Sequence, residues 1–349
     1  MKIAYIITSL AQEGPGNVVM DLVKVMLEHQ HHCTVFYFDT KPDEHIFPCK
    51  VQKISFNDNI HFEDFDIVHT HSLRPDIYAF VKKTFKCKTP LVCTIHNFVF
   101  NDLISDHGLF KGIIGGLLWQ FSRLRNDRIL VLNKTAFSYY KKWFGKNKLR
   151  IAYNTRVLDF SKKISDKDLS FISSLQQKYT ILCSICRVTK LKGLDRIIRT
   201  LPYLDRSICF LIIGDGPEVS TLKKMSEDLN VSDRVIFMGS RYDGYKYMPH
   251  IDVFCIPSHS EGFPLAMLEA ACYGKPILAS NLPVFSELFS NDEIVICKED
   301  NVQSYKEGID KVLDNKSQYG RNVKLKFDSA YSPDAFYQNH ITIYKELQK

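Results

Sequence analysis

The chain has 349 residues, of which 45% are hydrophobic and 24% are charged. This usage is ordinary for a protein with a well-formed core, and it excludes a wholly disordered chain. Because domains commonly hold about 100–200 residues, the length favours two domains. The ten cysteines are scattered singly, several of them inside apolar runs, which is typical of buried thiols in a reduced compartment.

The sequence indicates neither a targeting segment nor a membrane span. Its first residues lead straight into a strand-like apolar stretch and lack the pattern of a cleavable signal peptide. The most apolar later stretch, 109–121, is interrupted by Lys111 and Gln120, and it is shorter than the roughly 20 residues that a transmembrane helix needs. We therefore expect a cytoplasmic protein, whose contact with a membrane would be peripheral.

The formal net charge of +7 lies mostly in the first half of the chain. Residues 1–160 carry 21 Lys and Arg against 15 acids, whereas residues 161–349 carry 25 against 24. Segment 107–158 alone has eleven cations and one acid, Asp127. Such a field attracts anions, so the segment is either a solvated basic face or a contact for an anionic membrane or a phosphorylated acceptor. Nucleic acid is not favoured, because no recognised nucleic-acid-binding module accompanies the charge.

Short apolar runs alternate with helical patterns along the whole chain. In the first half, a helix is predicted at 18–30 and strands are predicted at 2–10, 33–38, 66–71, 89–96 and 128–132. In the second half, helices are predicted at 194–204, 219–229 and 264–274, and strands at 180–188, 208–214, 234–239, 253–258 and 276–280. This alternation predicts two doubly wound, parallel α/β domains.

Composition sets the predicted domain boundaries. Residues 159–178 are polar and interrupt the alternation, so we predict a linker there between Rossmann-like domains at 1–158 and 179–332. Segment 333–349 is predicted to be a helix with a sparse apolar stripe, which needs a domain to pack on. Because open α/β sheets bind ligands beyond the carboxyl ends of their strands, we expect the substrates in a cleft between two facing domains.

The most informative motif is SHSEGFPLAMLEAACYGKPILAS, residues 258–280. A loop containing Glu261 follows a predicted strand, Pro264 suits a first helical turn, and Gly274 suits the end of the helix. The N-terminus of such a helix offers free amides and the positive end of its dipole. This motif therefore predicts an anion site.

Two glutamates of this motif carry its chemistry. Glu261 lies at the mouth of the loop, and Glu269 lies eight residues later, where it can accept hydrogen bonds from sugar hydroxyls. Eight residues rise about 12 Å along a helix, whereas the two carboxyl groups of a retaining glycosidase lie about 5–5.5 Å apart. The spacing therefore excludes a glycosidase pair, and the unusual Glu-Gly-Phe-Pro entry argues against two merely solvated glutamates.

Two cations lie in a strand-to-helix loop upstream of that motif. Arg187 and Lys192, in RVTKLKG, are five residues apart and can converge on one anion, to which arginine offers a bidentate fork and lysine a point charge. Fixed cations stabilise a diphosphate that gains charge as its bond to a sugar breaks.

Loops at 13–17 and 214–218 are rich in glycine, which either admits a ligand to the backbone or makes a turn. Neither is a complete dinucleotide fingerprint.

Pairs of histidines and of aspartates in the sequence could be metal ligands, but their surroundings in the sequence do not support a metal site. His69 and His71 supply only half of a zinc site, and no partner set accompanies them. The Asp-x-Asp pair at 64–66 precedes a predicted strand, and the pair at 166–168 lies in the predicted linker. Structural roles are therefore favoured for both pairs. His96 follows another predicted strand, where it is either a polar contact to a sugar or an ordinary loop histidine.

Four motifs together carry a family resemblance. CRVTKLKG, IIGDGPE, VIFMG and EGFPLAMLE occur in this order in the sequence, and they resemble the group 1 (family 4) retaining glycosyltransferases in order and spacing. The likeness covers nearly the whole chain and is most specific in 181–282. The N-terminal half is similar to the family more loosely, through its glycine-containing first loop, DIVHTH, TIHN and IAYNT. The resemblance implies the GT-B fold, two facing Rossmann-like domains with a C-terminal helix that crosses back to the first.

The resemblance also implies a donor site without a metal ion or another cofactor. Arg187 and Lys192 would bind the diphosphate of the donor, and Glu269 would bind the ribose of its nucleotide. Glu261 and His96 would contact the donor sugar, so these two and the two cations are the expected catalytic residues. Further donor contacts are implied for Gly14, Gly16, Gly214, Gly216, Gly262, Phe263, Pro264 and Leu265.

These observations lead to one functional hypothesis and two alternatives. The favoured activity is transfer of a sugar, with retention, from a UDP- or GDP-linked donor to a glycan or lipid-linked oligosaccharide of a surface polysaccharide such as a capsule, O-antigen or exopolysaccharide. The alternatives are a nucleotide-sugar epimerase or hydrolase of the same fold, and a non-catalytic nucleotide-sugar-binding partner of another transferase. The presence of both cations with both glutamates argues against the non-catalytic alternative.

Peripheral membrane binding is a separate expectation. Within 107–158, apolar residues repeat at helical spacing, namely Phe110, Ile113, Ile114, Leu117, Phe121 and Leu124. An apolar stripe among cations suits a helix that lies in a membrane interface, but packing inside the first domain explains the same stripe. The sequence leaves these two interpretations open.

Overall fold

A computed structural model describes residues 1–12, 14–42, 44–96, 98, 108–298 and 300–348 of the chain. It divides into two compact units, the first made of Met1–Val157 with Ser332–Lys349 and the second of Leu158–Tyr331. Each unit contains a parallel sheet with helices. The α/β class and the pair of Rossmann-like domains predicted from the sequence are therefore confirmed.

The first unit is built on a parallel sheet. Its described strands are β1 Lys2–Ser9, β2 His32–Asp39, β3 Lys50–Lys53, β4 Ile67–His71, β5 Leu91–Ile95, β6 Arg128–Val131 and β7 Leu149–Ile151. They are ordered β3-β2-β1-β4-β5-β6-β7, with helices α1 Gly14–Glu28, α2 Leu73–Lys82, α3 Leu109–Ser122 and α4 Lys134–Phe144. The central strands are almost wholly buried, which is why they read as continuous apolar runs.

The second unit repeats the plan. Its described strands are β8 Thr180–Ile185, β9 Ile208–Ile213, β10 Val235–Gly239, β11 Val253–Ile256, β12 Ile277–Ser280 and β13 Val295–Cys297, in the order β10-β9-β8-β11-β12-β13. The helices described in this part are α5 Asp166–Gln176, α6 Leu194–Thr200, α7 Val219–Asp228, α8 Leu265–Cys272, α9 Pro283–Leu288, α10 Val302–Asp314 and α11 Lys316–Lys326. Leu182, Phe210 and Ile197 belong to a single buried cluster that joins strands to helices.

The C-terminal helix α12, Pro333–Glu346, belongs to the first unit although it follows the second in the chain. The Ser332 side chain caps it by accepting a hydrogen bond from the backbone of Ala335. Its Phe336 and Tyr344 are buried, and Tyr337 stacks on His29 with ring centroids 3.5 Å apart. The expectation that this helix returns to the N-terminal domain is confirmed.

Two of the details that differ from the sequence prediction lie in the second unit. The predicted linker 159–178 contains helix α5, which is tied to the rest of the second unit because Arg241 and Tyr247 donate hydrogen bonds to Asp168. Its polar composition is that of an exposed helix, which strand rhythm does not reveal. Pro264 is not in the first helical turn but lies at the N-cap of α8, whereas Gly274, at φ +62°, follows the helix end as predicted. In the described part of the chain, the helices are too short or too polar to span a bilayer.

Candidate functional site

The strand order of the second sheet reverses between β8 and β11. From β8 the sheet continues through β9 to β10 on one side, and from β11 it continues through β12 to β13 on the other. Open α/β sheets bind ligands at the carboxyl ends of their strands at such a switch point. The loop after β8 carries Arg187 and Lys192, and the loop after β11 carries Glu261. The fold therefore brings the two most informative motifs of the second unit to neighbouring strand ends.

Backbone contacts lock these two loops together. The amide of His259 donates to the carbonyl of Leu191 at 2.8 Å. Gly193 has φ +59°, and a Cβ placed there would lie 2.2 Å from the carbonyl oxygen of Pro257. Only glycine fits this left-handed position against another backbone. The close contact sets the spacing between the two loops.

Lys192 and Glu261 form an ion pair within this arrangement. The Nζ of Lys192 lies 2.7 Å from Oε1 of Glu261, and the side chains are 29% and 9% exposed. The hydroxyl of Ser258 donates to the same carboxylate oxygen, also at 2.7 Å. Burial alone lowers the pKa of Lys192, but the charge and hydrogen bond of Glu261 raise it above its ordinary value. Lys192 is therefore charged at neutral pH, and its ammonium group can bind an anion.

The other predicted residues of these two loops lie nearby in the chain. Arg187 is exposed and makes no hydrogen bond or ion pair with the residues the structure describes. Glu269 is half-buried on α8. The segment Gly262–Leu265 leads into the N-terminus of that helix and is mostly half-buried, with Pro264 buried. Convergence of Arg187 and Lys192 on one anion stays a prediction.

Packing within the fold explains why the loop after β9 has glycine at positions 214 and 216. A Cβ on Gly214 would lie 1.8 Å from the carbonyl oxygen of Cys186, and one on Gly216 would lie 2.2 Å from that of Val188. The amide of Val188 in turn donates to the carbonyl of Asp215 at 2.9 Å. These glycines let the β9 loop pack against the β8 loop, so their presence does not by itself indicate a ligand.

Sequence reasoning missed a buried arginine behind these loops. Arg196 on α6 is 2% exposed and donates to the carbonyl oxygen of Pro257 at 2.8 Å and to Oδ1 of Asp300 at 3.0 Å. It lies on the side of α6 opposite the apolar stripe of Leu194, Ile197 and Ile198, where periodicity predicts solvent. The β11 loop covers that side instead, which local sequence cannot show.

The first sheet has its own switch point, between β1 and β4. Gly16, in the loop and helix that follow β1, is buried, and a Cβ there would lie 2.1 Å from the carbonyl oxygen of Ala11. Gly14 is exposed, with nothing within 4 Å of such a Cβ. Gly16 is therefore needed for packing, whereas Gly14 leaves open space beside the backbone.

Histidines line the carboxyl ends of β4 and β5 in this unit. His71 Nδ1 lies 2.9 Å from His96 Nε2, and His69 contacts Tyr344 at 2.7 Å and Thr94 at 2.8 Å. Burial, with a smaller contribution from Arg123, lowers the pKa of His96 to about 4, so its imidazole is neutral at pH 7. Of the two ring nitrogens of His69, Nδ1 contacts Tyr344 of α12 and Nε2 contacts Thr94 of β5. In the described segments, no group of three metal-ligating side chains occurs.

Part of the positive charge of segment 107–158 is paired with acidic side chains of the same unit. Arg123 and Asp76 form a wholly buried pair at 3.0 Å, Arg156 contacts Asp21 at 2.6 Å, and Arg150 contacts Glu346 at 3.0 Å. Burial raises the pKa of Asp76, and the charge of Arg123 opposes that rise. These arginines hold the first unit together, so the solvated basic face is smaller than the sequence indicates.

Comparison with known proteins places the chain in one group. Residues 165–326 match the family described as glycosyl transferases group 1, and residues 13–159 match glycosyltransferase family 4. The O-antigen biosynthesis glycosyltransferase WclY of Escherichia coli is 34% identical over 298 residues, which cover 83% of this chain and 82% of that relative.

Two further comparisons extend the likeness. The UDP-Gal:alpha-D-GlcNAc-diphosphoundecaprenol alpha-1,3-galactosyltransferase of Escherichia coli is 25% identical over 265 residues, which cover 73% of this chain and 68% of that relative. The crystal structure of Anabaena Alr3699/HepE in complex with UDP has a TM-score of 0.79 at 17% identity, and the match covers 99% of this chain and all of that one (100%). The fold of both units is therefore that of known GT-B proteins.

Proposed function

Since the chain belongs to the group 1 glycosyltransferases of family 4, we propose that it transfers a sugar from a UDP- or GDP-linked donor to a lipid-linked glycan in the synthesis of a surface polysaccharide. Its relatives support this choice, because one acts in O-antigen biosynthesis and another is named for UDP-Gal and a diphosphoundecaprenol-linked acceptor. We further propose that the anomeric configuration is retained and that no metal ion takes part.

The observation that carries this proposal is the Lys192–Glu261 pair at the switch point between β8 and β11. A diphosphate brings more negative charge than one carboxylate, so the donor competes with Glu261 for the ammonium group of Lys192. Glu261 is then released toward the sugar. Arg187, exposed on the same loop, adds a bidentate contact to the phosphates.

The remaining proposed contacts complete the donor site. Glu269 binds the ribose, and the Gly262–Leu265 segment binds phosphate or sugar beside the N-terminus of α8. In this proposal Gly14, Gly16, Gly214 and Gly216 belong to loops that contact the donor, although all of them except Gly14 are also required for packing within the fold. His96, neutral at pH 7 because its pKa is lowered to about 4, serves as a hydrogen-bonding partner for a sugar hydroxyl and carries no charge.

The proposed reaction needs no protein nucleophile. The bond between the anomeric carbon and the diphosphate oxygen breaks, and the bond from an acceptor hydroxyl oxygen forms on the same face. The hydroxyl proton passes to the departing phosphate oxygen. Lys192 and Arg187 stabilise the charge that grows on the diphosphate, which is the step where fixed cations contribute most.

The activity is tested by a donor screen followed by product analysis. UDP- and GDP-sugars are first ranked by thermal shift, because preferential binding raises apparent stability. The stabilising donor is then incubated with a diphosphoundecaprenol-linked glycan, with and without EDTA, and the anomeric configuration of the product is determined by NMR. A retained linkage formed equally in EDTA supports the proposal. An inverted linkage, or activity lost in EDTA and restored by Mn²⁺, contradicts it.

The same assay separates the alternatives. Release of free sugar or formation of an epimer without transfer indicates a hydrolase or epimerase of the same fold. Donor binding without turnover over all acceptors indicates a non-catalytic partner. Either result contradicts the proposed transfer.

A lipid-linked acceptor places the reaction at a membrane surface, and we propose that helix α3 makes the contact. Phe110, Ile114, Leu117 and Phe121 lie on one side of α3 and are 79%, 45%, 49% and 58% exposed. Gly112, Gly116 and Trp119 lie on the buried side. This helix turns its large apolar residues outward, the reverse of an ordinary surface helix.

The apolar face continues beyond α3 and has cations at its rim. Phe121 contacts Phe80, with ring centroids 5.3 Å apart, and the guanidinium of Arg125 lies 4.5 Å above the ring of Phe85, which is 95% exposed. Lys148 donates to the carbonyl oxygen of Leu124 at 2.7 Å. Apolar residues with adjacent cations match a bilayer interface rich in anionic headgroups.

Vesicle sedimentation tests this contact. The full chain is expected to sediment with phosphatidylglycerol vesicles at low salt, and the double variant Leu117→Gln, Phe121→Gln to remain mostly in solution. Leu325→Gln is the matched control, because Leu325 is 67% exposed in the second unit. Equal sedimentation of the double variant contradicts the proposal. A dimer in light scattering that becomes a monomer in the double variant also contradicts it, because a second copy would then cover this face.

A further inference from the structure

Arg196 is a cation buried at the back of the proposed donor site. Besides its bonds to Pro257 and Asp300, its Nη1 lies 3.3 Å from the carbonyl oxygen of Ser258 and its Nη2 lies 2.8 Å from Nδ1 of His259. One guanidinium therefore contacts three consecutive residues of the β11 loop and one residue that follows β13. Its planar fork holds several N–H donors in one fixed geometry, whereas the donors of a lysine ammonium rotate about a single nitrogen.

These contacts lie directly upstream of Glu261. The carbonyls of Pro257 and Ser258 follow the end of β11, and both residues are buried, so each carbonyl needs a hydrogen-bond partner. Arg196 supplies one to both, and the hydroxyl of Ser280 donates to the Ser258 carbonyl at 2.6 Å. The hydroxyl of Ser258 then donates to Glu261.

We infer that Arg196 is a positioning residue of the donor site. It holds the backbone of Ser258, whose side chain orients the carboxylate of Glu261 opposite Lys192. Arg196 touches no substrate. The inference rests on the proposed function, in which Lys192 and Glu261 meet the donor, and it adds the residue that gives this pair its geometry.

Nucleotide binding to the full chain tests the role. UDP and GDP are titrated by calorimetry into the wild type and into Arg196→Lys, and the variant is expected to bind the preferred nucleotide about tenfold more weakly, the loss typical of removing charged hydrogen bonds. Arg234→Lys is the matched control. Arg234 is also buried and donates to three backbone carbonyls, those of Leu201, Asp205 and Ile208.

The control separates positioning from stability. Both arginine variants are expected to lower the unfolding temperature, but Arg234→Lys is expected to leave nucleotide affinity within about twofold of the wild type, as for a site without shared partners. Equal weakening of binding in both variants would mean that Arg196 only stabilises the fold. Unchanged affinity in Arg196→Lys would overturn the inference as well.

A double-mutant cycle tests the path through Ser258. Ser258→Ala is expected to weaken binding on its own, and adding it to Arg196→Lys is expected to cost little more, because coupled residues are not additive. Independent, additive effects of the two substitutions overturn the inference. Unchanged nucleotide binding in Ser258→Ala overturns it as well, and this single variant can be measured even if Arg196→Lys does not fold. If Lys192→Ala and Glu261→Gln also bind as the wild type does, the proposed function has failed, and not merely the role of Arg196.

Discussion

Lys192 faces a carboxylate in this structure, whereas its proposed partner in the reaction is a diphosphate. The Glu261 carboxylate raises the pKa of Lys192 against the effect of burial, so the ammonium form is kept. Ser258 satisfies the same carboxylate oxygen. The pair is thus a preformed site whose positive member is held in place until a stronger anion arrives.

Alanine at either cation is expected to act on turnover. Lys192→Ala is expected to lower kcat by roughly 10²-fold, since a preorganised charge in the transition state has about that effect, and Arg187→Ala is expected to lower it by less. The KM for the acceptor should change little in both. Steady-state kinetics with both substrates varied provide the measurement, and a selective rise in acceptor KM would assign these cations to the acceptor.

Gly193 gives a prediction about stability. At φ +59°, with Pro257 close by, Gly193→Ala is expected to cost roughly 1–3 kcal/mol from backbone strain alone. Gly14→Ala is the control, because a Cβ there meets nothing within 4 Å. Urea unfolding compares the two, and equal midpoints would show that the β8 and β11 loops are not locked by this contact.

Helix α12 shows what sequence can reveal about an element and what it cannot. Its apolar stripe predicts that it packs on a domain, and the family resemblance implies that this domain is the first one. The partners are long-range: Tyr344 contacts His69 at 2.7 Å, and Tyr337 contacts His31 at 3.0 Å. No local pattern pairs residues so far apart in the chain.

Two buried histidines of the first unit, His340 on α12 and His96 after β5, predict a pH dependence of stability. Burial lowers the pKa of His340 to about 4, as it does for His96, whereas the unfolded value is about 6.5. The unfolded state binds these protons first, so stability is complete above pH 6.5 and falls as the pH drops toward 4.

His340→Leu tests that dependence. The free energy of unfolding, obtained from urea titrations at pH 7, 6 and 5, should fall less steeply for the variant than for the wild type, by up to roughly 2 kcal/mol at pH 5. Parallel curves for the two proteins would show that His340 does not titrate as its burial implies.

Helix α3 reverses the expectation for an amphipathic element. The apolar spacing of Phe110, Leu117 and Phe121 is equally compatible with packing and with a free surface. The structure exposes these residues and buries Gly112 and Gly116 instead. Periodicity identifies the stripe, but it does not tell whether the apolar side or the glycine side of the helix is buried.

For the whole molecule, the sequence predicts both parallel sheets and the motif loops at their strand ends. It does not predict helix α5 in the polar segment 159–178, because an exposed helix has little apolar signal. Nor does it predict that Arg123 and Arg156 form ion pairs with buried carboxylates, because a count of charges does not tell which side chains are buried. The burial of Arg196 is not predicted either, because the loop that covers it is distant in the sequence.

The central claim is that Lys192, held by Glu261, binds the diphosphate of a nucleotide-sugar donor. Calorimetric titration of UDP and of GDP into the wild type, Lys192→Ala and Lys190→Ala tests it most directly, because Lys190 is an exposed lysine of the same loop. One nucleotide is expected to bind the wild type and Lys190→Ala alike, and to bind Lys192→Ala at least about tenfold more weakly. Equal affinity for all three proteins would contradict the account.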